Sequence, residues 1–289
     1  MKKSLLASLV LAGIALASLG AAQTDPMPMG KPTLYQRLGG IHKIADFFDR
    51  HFSTMMKSNL VKMNPRLMSA MKMFPAPAAM FVSIGFTCSK IGGPQKYSLL
   101  DVSRIEKGFM LSPEEWKMCD DLDRKILRDM KIDDATAEEF LAWHTKSVMD
   151  AEPVELMPEP FMSKDSLYAR LGGFAPISMV VNDFVNLLAT DKTVLSNSRT
   201  VKALTDGHVS AAGLKYLVTE QLCAAAGGPF TYSGRSMASS HKGLMITEKE
   251  WDASAKLLIQ VLNKYKVPAR EQKEILGAII GTKKDIVGH

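Results

Sequence analysis

The sequence predicts an all-α protein built from two related helical domains. Three observations carry that expectation. Segments of the second half repeat segments of the first at a nearly constant offset. Apolar residues recur at spacings of three and four, between helix start and stop signals. No stretch shows the strict apolar–polar alternation of a half-buried strand.

The first element is a processing signal. Lys2 and Lys3 precede the apolar run SLLASLVLAGIALASLG, which ends on the small residues Gly20, Ala21 and Ala22. That order is the pattern of a secretory signal peptide, assigned to residues 1–22. The run is short for a spanning helix and gives way to TDPMPMGKP, with no cysteine after it to take a lipid. An exported protein, periplasmic or extracellular, with no stable membrane insertion after processing is expected. A retained N-terminal anchor is the alternative.

Composition narrows the class. The 289 residues suffice for two ordinary domains, and 46% hydrophobic with 23% charged residues is the balance of a soluble globular chain. The net charge of +6 is scattered, with no basic stripe interleaved with aromatics, which argues against a nucleic-acid partner. Three cysteines are no disulfide framework. Cys88 and Cys119 share a repeat and could pair, leaving Cys223 as a small buried apolar residue. No Cys-x-x-Cys-His is present, so covalent haem attachment is not indicated.

The repeat then fixes the organisation. TLYQRLGG at 33–40 returns as SLYARLGG at 166–173, and CSKIGGPQKYS at 88–98 returns as CAAAGGPFTYS at 223–233. Between 92–116 and 227–251, ten of 25 positions are identical, which points to one duplicated domain and not to a short stacking repeat. The Pro- and Glu-rich stretch AEPVELMPEPFMSK separates the copies. Domains at 31–149 and 165–287, with a stiff linker at 150–164, follow.

Each helix has local reasons. Ile177, Val180, Val181, Phe184 and Leu188 fall on one helical face. The second Gly-Gly-Pro ends the helix GLKYLVTEQLCAAA, glycine taking the left-handed cap and proline stopping continuation. Ser112 with Glu115, and Thr247 with Glu250, have the spacing of capping boxes, and Pro113 suits a first turn. KLLIQVLNKYKVP and REQKEILGAIIGTKKDIV supply the last two helices.

One residue marks a difference in chemistry. MASSHKGLMITEKEW at 237–251 matches VSRIEKGFMLSPEEW at 102–116, but His241 stands opposite Glu106. Met237 precedes His241 by one turn and Ile246 follows. A neutral imidazole among apolar side chains is the setting of an axial haem ligand, its other nitrogen donating to a carbonyl. A histidine satisfied in the core or at the surface fits the spacing as well.

The second repeat resembles the group 1 truncated haemoglobins. The resemblance rests on SLYARLGG, on GGPFTYSGRSMASSHKGLMIT and on VPAREQKEILGAI, and covers nearly all of 166–287. It implies a two-over-two helical sandwich around haem b, one per chain, with His241 as the proximal iron ligand. It places Met237, Ile246, Trp251 and Tyr232 against the haem, and implies a diatomic gas, O2, NO or CO, as ligand. The redox partner is not identified.

The sequence departs from the family opposite that histidine. Where the family presents Phe-Tyr, this chain has Phe184-Val185. Counting back from Gly227 puts the other distal positions at Leu214 and Val218, with Gln221 one turn away as a donor. The expected lining is therefore apolar, and it favours NO or CO over tight storage of O2, which gains from a nearby donor. In the first repeat Glu106 and Val102 replace His241 and Met237, so that domain is expected to keep the fold without haem. Ligation from His51 is the alternative there. Met63, Met68, Met71, Met73 and Met80 are read as core filler, with Cu(I) ligation as the other use of thioethers. The expected function is haem and gas binding, with no catalytic residue assigned. A haem-dependent nitric-oxide dioxygenase or peroxidase-like enzyme, and a non-haem interaction module, are the alternatives.

Overall fold

The structure, a computed structural model, describes residues 31–96, 99–154 and 165–289. The expected signal peptide and most of the expected linker lie outside the described residues. The N-terminal half runs α1 (Leu34–Arg37), α2 (Gly40–Met55), α3 (Asn59–Met63), α4 (Pro65–Met73), α5 (Ala76–Lys90), α6 (Val102–Gly108), α7 (Pro113–Asp129) and α8 (Asp134–Met149). The C-terminal half runs α9 (Leu167–Arg170), α10 (Phe174–Leu188), α11 (Ser198–Thr205), α12 (Ala211–Ala225), α13 (Met237–His241), α14 (Glu248–Lys264) and α15 (Ala269–Ile280). A 3-10 turn, Val194–Ser196, stands where the first half has α3. No strand occurs among the described residues; one isolated bridge joins Ile246 to Val287.

The recurring motifs have a physical reason, because they touch. Tyr168 of the second LYxRLGG donates its N–H to Ala226 O at 2.8 Å, and its hydroxyl accepts the Phe174 N–H at 3.1 Å. A Cβ on Gly228 would meet the Tyr168 ring at 2.7 Å, so the Gly-Gly-Pro turn fits only without a side chain there. Tyr35 repeats the arrangement, with Ile41 N–H on its hydroxyl at 3.0 Å and its ring 2.8 Å from a Cβ on Gly93.

Both capping boxes form, on Ser112 with Glu115 and on Thr247 with Glu250. Each box is also tied to a distant helix start. Asn197 caps α11, accepting from Arg199 and Thr200 N–H, while its amide donates to Leu244 O at 3.0 Å and Glu250 Oε2 at 3.2 Å. Asn64 caps α4 and reaches Phe109 O at 3.3 Å and Glu115 at 3.4 Å. Asn197→Ala removes the cap and both tertiary bonds, and is expected to destabilise the protein by about 1–3 kcal/mol. Urea unfolding checks this; an unchanged midpoint would contradict it.

The core joins the two halves. Helix α12 packs on α10 and on α2, while α5 packs on α2 and on α10. These four helices form a central bundle, with α7 and α8 outside α2 and with α14 and α15 outside α10. Phe174, fully buried, stacks on Phe74 at 5.8 Å and lies 6.0 Å from Phe81. Phe81 also meets Tyr216 at 5.1 Å and Phe230 at 5.4 Å. One hydrophobic cluster therefore includes residues of both halves.

The cysteines correct one expectation. Cys88 and Cys119 are free thiols: Cys88 is buried in the shared core, and Cys119 packs in a separate cluster with Phe52 and Leu67. Cys223 is buried, as expected. Among the described residues no single helix is long and apolar enough to cross a membrane.

Candidate functional site

The loop between α12 and α13 is pinned before it reaches His241. Gly227 ends α12 in the left-handed region at φ 83°. Glu220, only 3% exposed, accepts from the Ser233 N–H at 2.7 Å, the Ser233 hydroxyl at 2.6 Å and the Tyr216 hydroxyl at 3.1 Å. Gln95 of the N-terminal half donates to Ser233 Oγ at 3.1 Å. Burial pushes the Glu220 carboxyl up, against the pull of these donors. Tyr232 folds over Gly234, where a Cβ would fall 2.3 Å from its hydroxyl. Burial pushes the Tyr232 phenol up to about 12.

Ser236 then caps α13, accepting the Ser239 N–H at 3.2 Å. His241 is the last residue of that helix. Its Nδ1 lies 2.9 Å from Met237 O. A carbonyl only accepts, so Nδ1 carries the proton and Nε2 keeps its lone pair. Burial lowers the His241 pKa, the Met237 carbonyl opposes, and Arg235 lowers it again. The ring is a neutral imidazole with one basic nitrogen and no hydrogen bond on Nε2 among the described residues.

The other expected site residues divide by face. Met237, Tyr232, Ile246 and Trp251 are half-buried. Ile246 is held by the chain end, its carbonyl accepting the Gly288 N–H at 2.9 Å. Lys283 Nζ lies 6.0 Å from the Trp251 ring centre. On α12, Leu214, Val218 and Gln221 are half-buried, whereas Ala212, Tyr216, Thr219, Glu220 and Cys223 are buried. Two residues along a helix turn roughly 200°, so Leu214 and Val218 fall opposite Ala212 and Tyr216. Phe184 packs with the α14–α15 cluster, while its neighbour Val185 is 4% exposed in the shared core. A cavity of about 200 Å³ lies between α9, α10, the end of α12, α14 and α15, lined by Leu171, Val180, Leu222, Leu258 and Ile275 among others. His241 is not in its wall.

The N-terminal half has different chemistry at the matching place. Glu106 Oε2 lies 2.8 Å from His144 Nε2, and Asp123 Oδ1 lies 2.6 Å from His51 Nδ1. At the repeat offsets, Glu106, His51, Asp123 and His144 stand where the second half has His241, Phe184, Leu258 and Ile279. Three positions that are apolar in the second half are ionisable in the first, where the histidine is absent, and these ionisable groups are paired. Burial alone would lower the His144 pKa, but the Glu106 carboxylate outweighs it and raises the group to about 9. Asp123 similarly raises His51 against its burial. Phe52 and Met55 of α2, Leu60 and Val61 of α3 and Leu67 of α4 form a cluster of their own, with Met80, Phe109 and Cys119 packed against it.

The His144 shift has a pH consequence. A folded-state pKa above the unfolded value gives stability that is fully present below the unfolded pKa of about 6.5. That stability is lost as pH rises through about 9. An NMR titration of His144 is expected to show a midpoint near that value, falling in Glu106→Gln. An ordinary histidine midpoint in the parent protein would remove the ion pair from this account.

Comparison with known proteins places the C-terminal half. A family model described as bacterial-like globin matches residues 166–287. The group 1 truncated hemoglobin GlbN of Mycolicibacterium paratuberculosis is 32% identical over 117 residues, covering 39% of this chain and 78% of that protein. This chain belongs to the truncated haemoglobin family. Truncated hemoglobin from Tetrahymena pyriformis in its Fe(III) form is 26% identical, with a TM-score of 0.38 over 43% of this chain and 100% of that one. The bacterial-like globin match falls wholly on the half that carries His241. Sequence reasoning missed Glu220, Gln95 and the two Asn caps, because their partners lie far along the chain. The one signal for Glu220 was a lone carboxylate in a mostly apolar helix.

Proposed function

We propose that the C-terminal half binds haem b, one per chain, with His241 Nε2 as the proximal ligand, and takes up O2, NO or CO. The observation that supports this reading most is His241 itself. It is neutral, its tautomer is set by the Met237 carbonyl, and it keeps one basic nitrogen at the motif position that gives the family its iron ligand. When bound, the haem supplies an iron with an open position for a small gas. Met237 O orients the imidazole. Met237, Tyr232, Ile246 and Trp251 cover the proximal side, and their apolar surface excludes water. Leu214, Val218, Phe184 and Val185 make the opposite side apolar, so NO and CO are favoured over tight O2 storage. Gln221 is the nearest donor in sequence to those positions.

The N-terminal half is the haem-free copy of a tandem duplication. Its helices, Asn cap, capping box and Tyr–Gly contact repeat those of the other half, while Glu106 is committed to His144. Lys2, Lys3 and the apolar run after them support export. The enzymatic reading, nitric-oxide dioxygenation or peroxidase-like turnover, needs a polar group opposite His241, which the lining does not supply.

The test uses the full chain loaded with hemin, reduced and exposed to CO. A protein-type visible spectrum that shifts with CO is expected. A spectrum equal to that of free hemin would overturn the reading, and iron-free purified protein that refuses hemin would favour an interaction module.

A further inference from the structure

We propose that His42, a residue of the N-terminal half, is a positioning residue for the gas side of the haem site, because it fixes the first turn of α12. The proposal rests on the haem reading above. Helix α12 begins at Ala211 and carries Leu214 and Val218 on its half-buried face. Its N-cap is Ser210, whose hydroxyl accepts the Gly213 N–H at 3.0 Å. The same hydroxyl donates to His42 O at 2.9 Å, and the Ser210 N–H donates to His42 Nδ1 at 3.2 Å. Two of the hydrogen bonds that Ser210 makes therefore run to the other half of the chain.

The approach is close because residue 213 has no side chain. A Cβ there would fall 2.2 Å from His42 Nδ1 and 2.9 Å from His42 Cα. Glycine inside a helix is destabilising against alanine, so its presence here needs a reason. The close docking on α2 supplies one. The pairing also has no counterpart across the repeat: His42 corresponds to Ala175, and Gly213 to Ala78. The reciprocal contact of α10 with α5 is made instead by Phe174 against Phe81, with Phe74, just before α5, stacked on the same ring.

The tautomer is set as well. Nδ1 accepts, so the ring is neutral with its proton on Nε2. Burial lowers the His42 pKa, Asp46 opposes and Arg235 lowers it further, which keeps the acceptor in place at neutral pH. A helix is stiff over two turns, so a shift at Ser210 is carried to Leu214 and on to Val218. The N-terminal half thus does more than add buried area: it sets where the apolar wall stands over the gas.

Three proteins test this: the full chain, His42→Ala and His42→Asn. Asparagine keeps an acceptor close to the place of Nδ1. In haem-free protein, hydrogen exchange of the amides at 210–214 is expected to quicken about tenfold in His42→Ala and to return toward the parent rate in His42→Asn. In hemin-loaded, reduced protein the CO association rate is expected to shift about fivefold in His42→Ala and to recover in His42→Asn, with the hemin-bound spectrum retained by all three. Parent rates in His42→Ala, with that spectrum intact, would overturn the proposal. Equal effects of alanine and asparagine would overturn it too, by reducing His42 to packing. Failure of the parent chain to bind hemin would instead strike the haem reading, while the exchange experiment would still decide the His42 anchor. Should His42→Ala fail to fold, Ser210→Asp, which keeps an N-cap acceptor for the Gly213 N–H but cannot donate to His42 O, is expected to give the same exchange and CO changes in smaller degree, and parent values there would overturn the proposal.

Discussion

His241→Ala is expected to weaken hemin binding at least about 100-fold while leaving the helical content unchanged. The imidazole makes its hydrogen bond only within its own turn, to Met237 O, so removing it frees no distant group. It is half-buried at the end of a five-residue helix, and no part of the shared core depends on it. What is lost is the one basic nitrogen at the site. Free imidazole added to the variant is expected to restore the protein-type spectrum by entering the space left behind. Unchanged hemin affinity, or a variant that no longer folds, would contradict this assignment.

Phe174→Ala is expected to destabilise the whole chain by about 3–5 kcal/mol. Phe174 is fully buried at the start of α10, stacked on Phe74 and packed on Phe81, both from the other half. Truncation removes the ring's transfer energy, leaves a cavity and breaks two aromatic contacts. Because one core serves both halves, unfolding by urea is expected to stay a single transition that moves to lower denaturant. Two separate transitions, with only one displaced, would show that the halves are energetically independent.

Much of the local structure was legible in the sequence. Capping boxes, the glycine stop after α12 and the apolar face of α10 depend on residues within a few positions of one another, so spacing alone reads them. His241 stood out because its repeat partner is Glu106. What the sequence withheld depends on contacts between distant segments. His51 and His144 read as isolated histidines, since their partners Asp123 and Glu106 lie 72 and 38 positions away. Phe74, Phe81 and Phe174 are apolar residues that any core would accept, so nothing in the pattern announced that they join the halves. Cys88 and Cys119 show the reverse error: shared membership of a repeat suggested a disulfide, but the helix faces carry them into different clusters.

The two halves share an order of helices, and at four matching positions their chemistry differs together. Where the second half has a basic imidazole among apolar side chains, the first has two carboxylate–imidazole pairs. A haem seated in the first half as proposed for the second would disrupt those pairs, leaving the buried Asp123 and the half-buried Glu106 without partners, which is destabilising. On the proposed reading, the position that lacks the imidazole carries instead a carboxylate already paired with His144.

A hemin titration of the full chain, followed by visible absorbance, tests this division most directly. The predicted endpoint is one hemin per chain, abolished in His241→Ala and unmoved in Glu106→Ala. An endpoint of two per chain, or one that survives in His241→Ala, would contradict it.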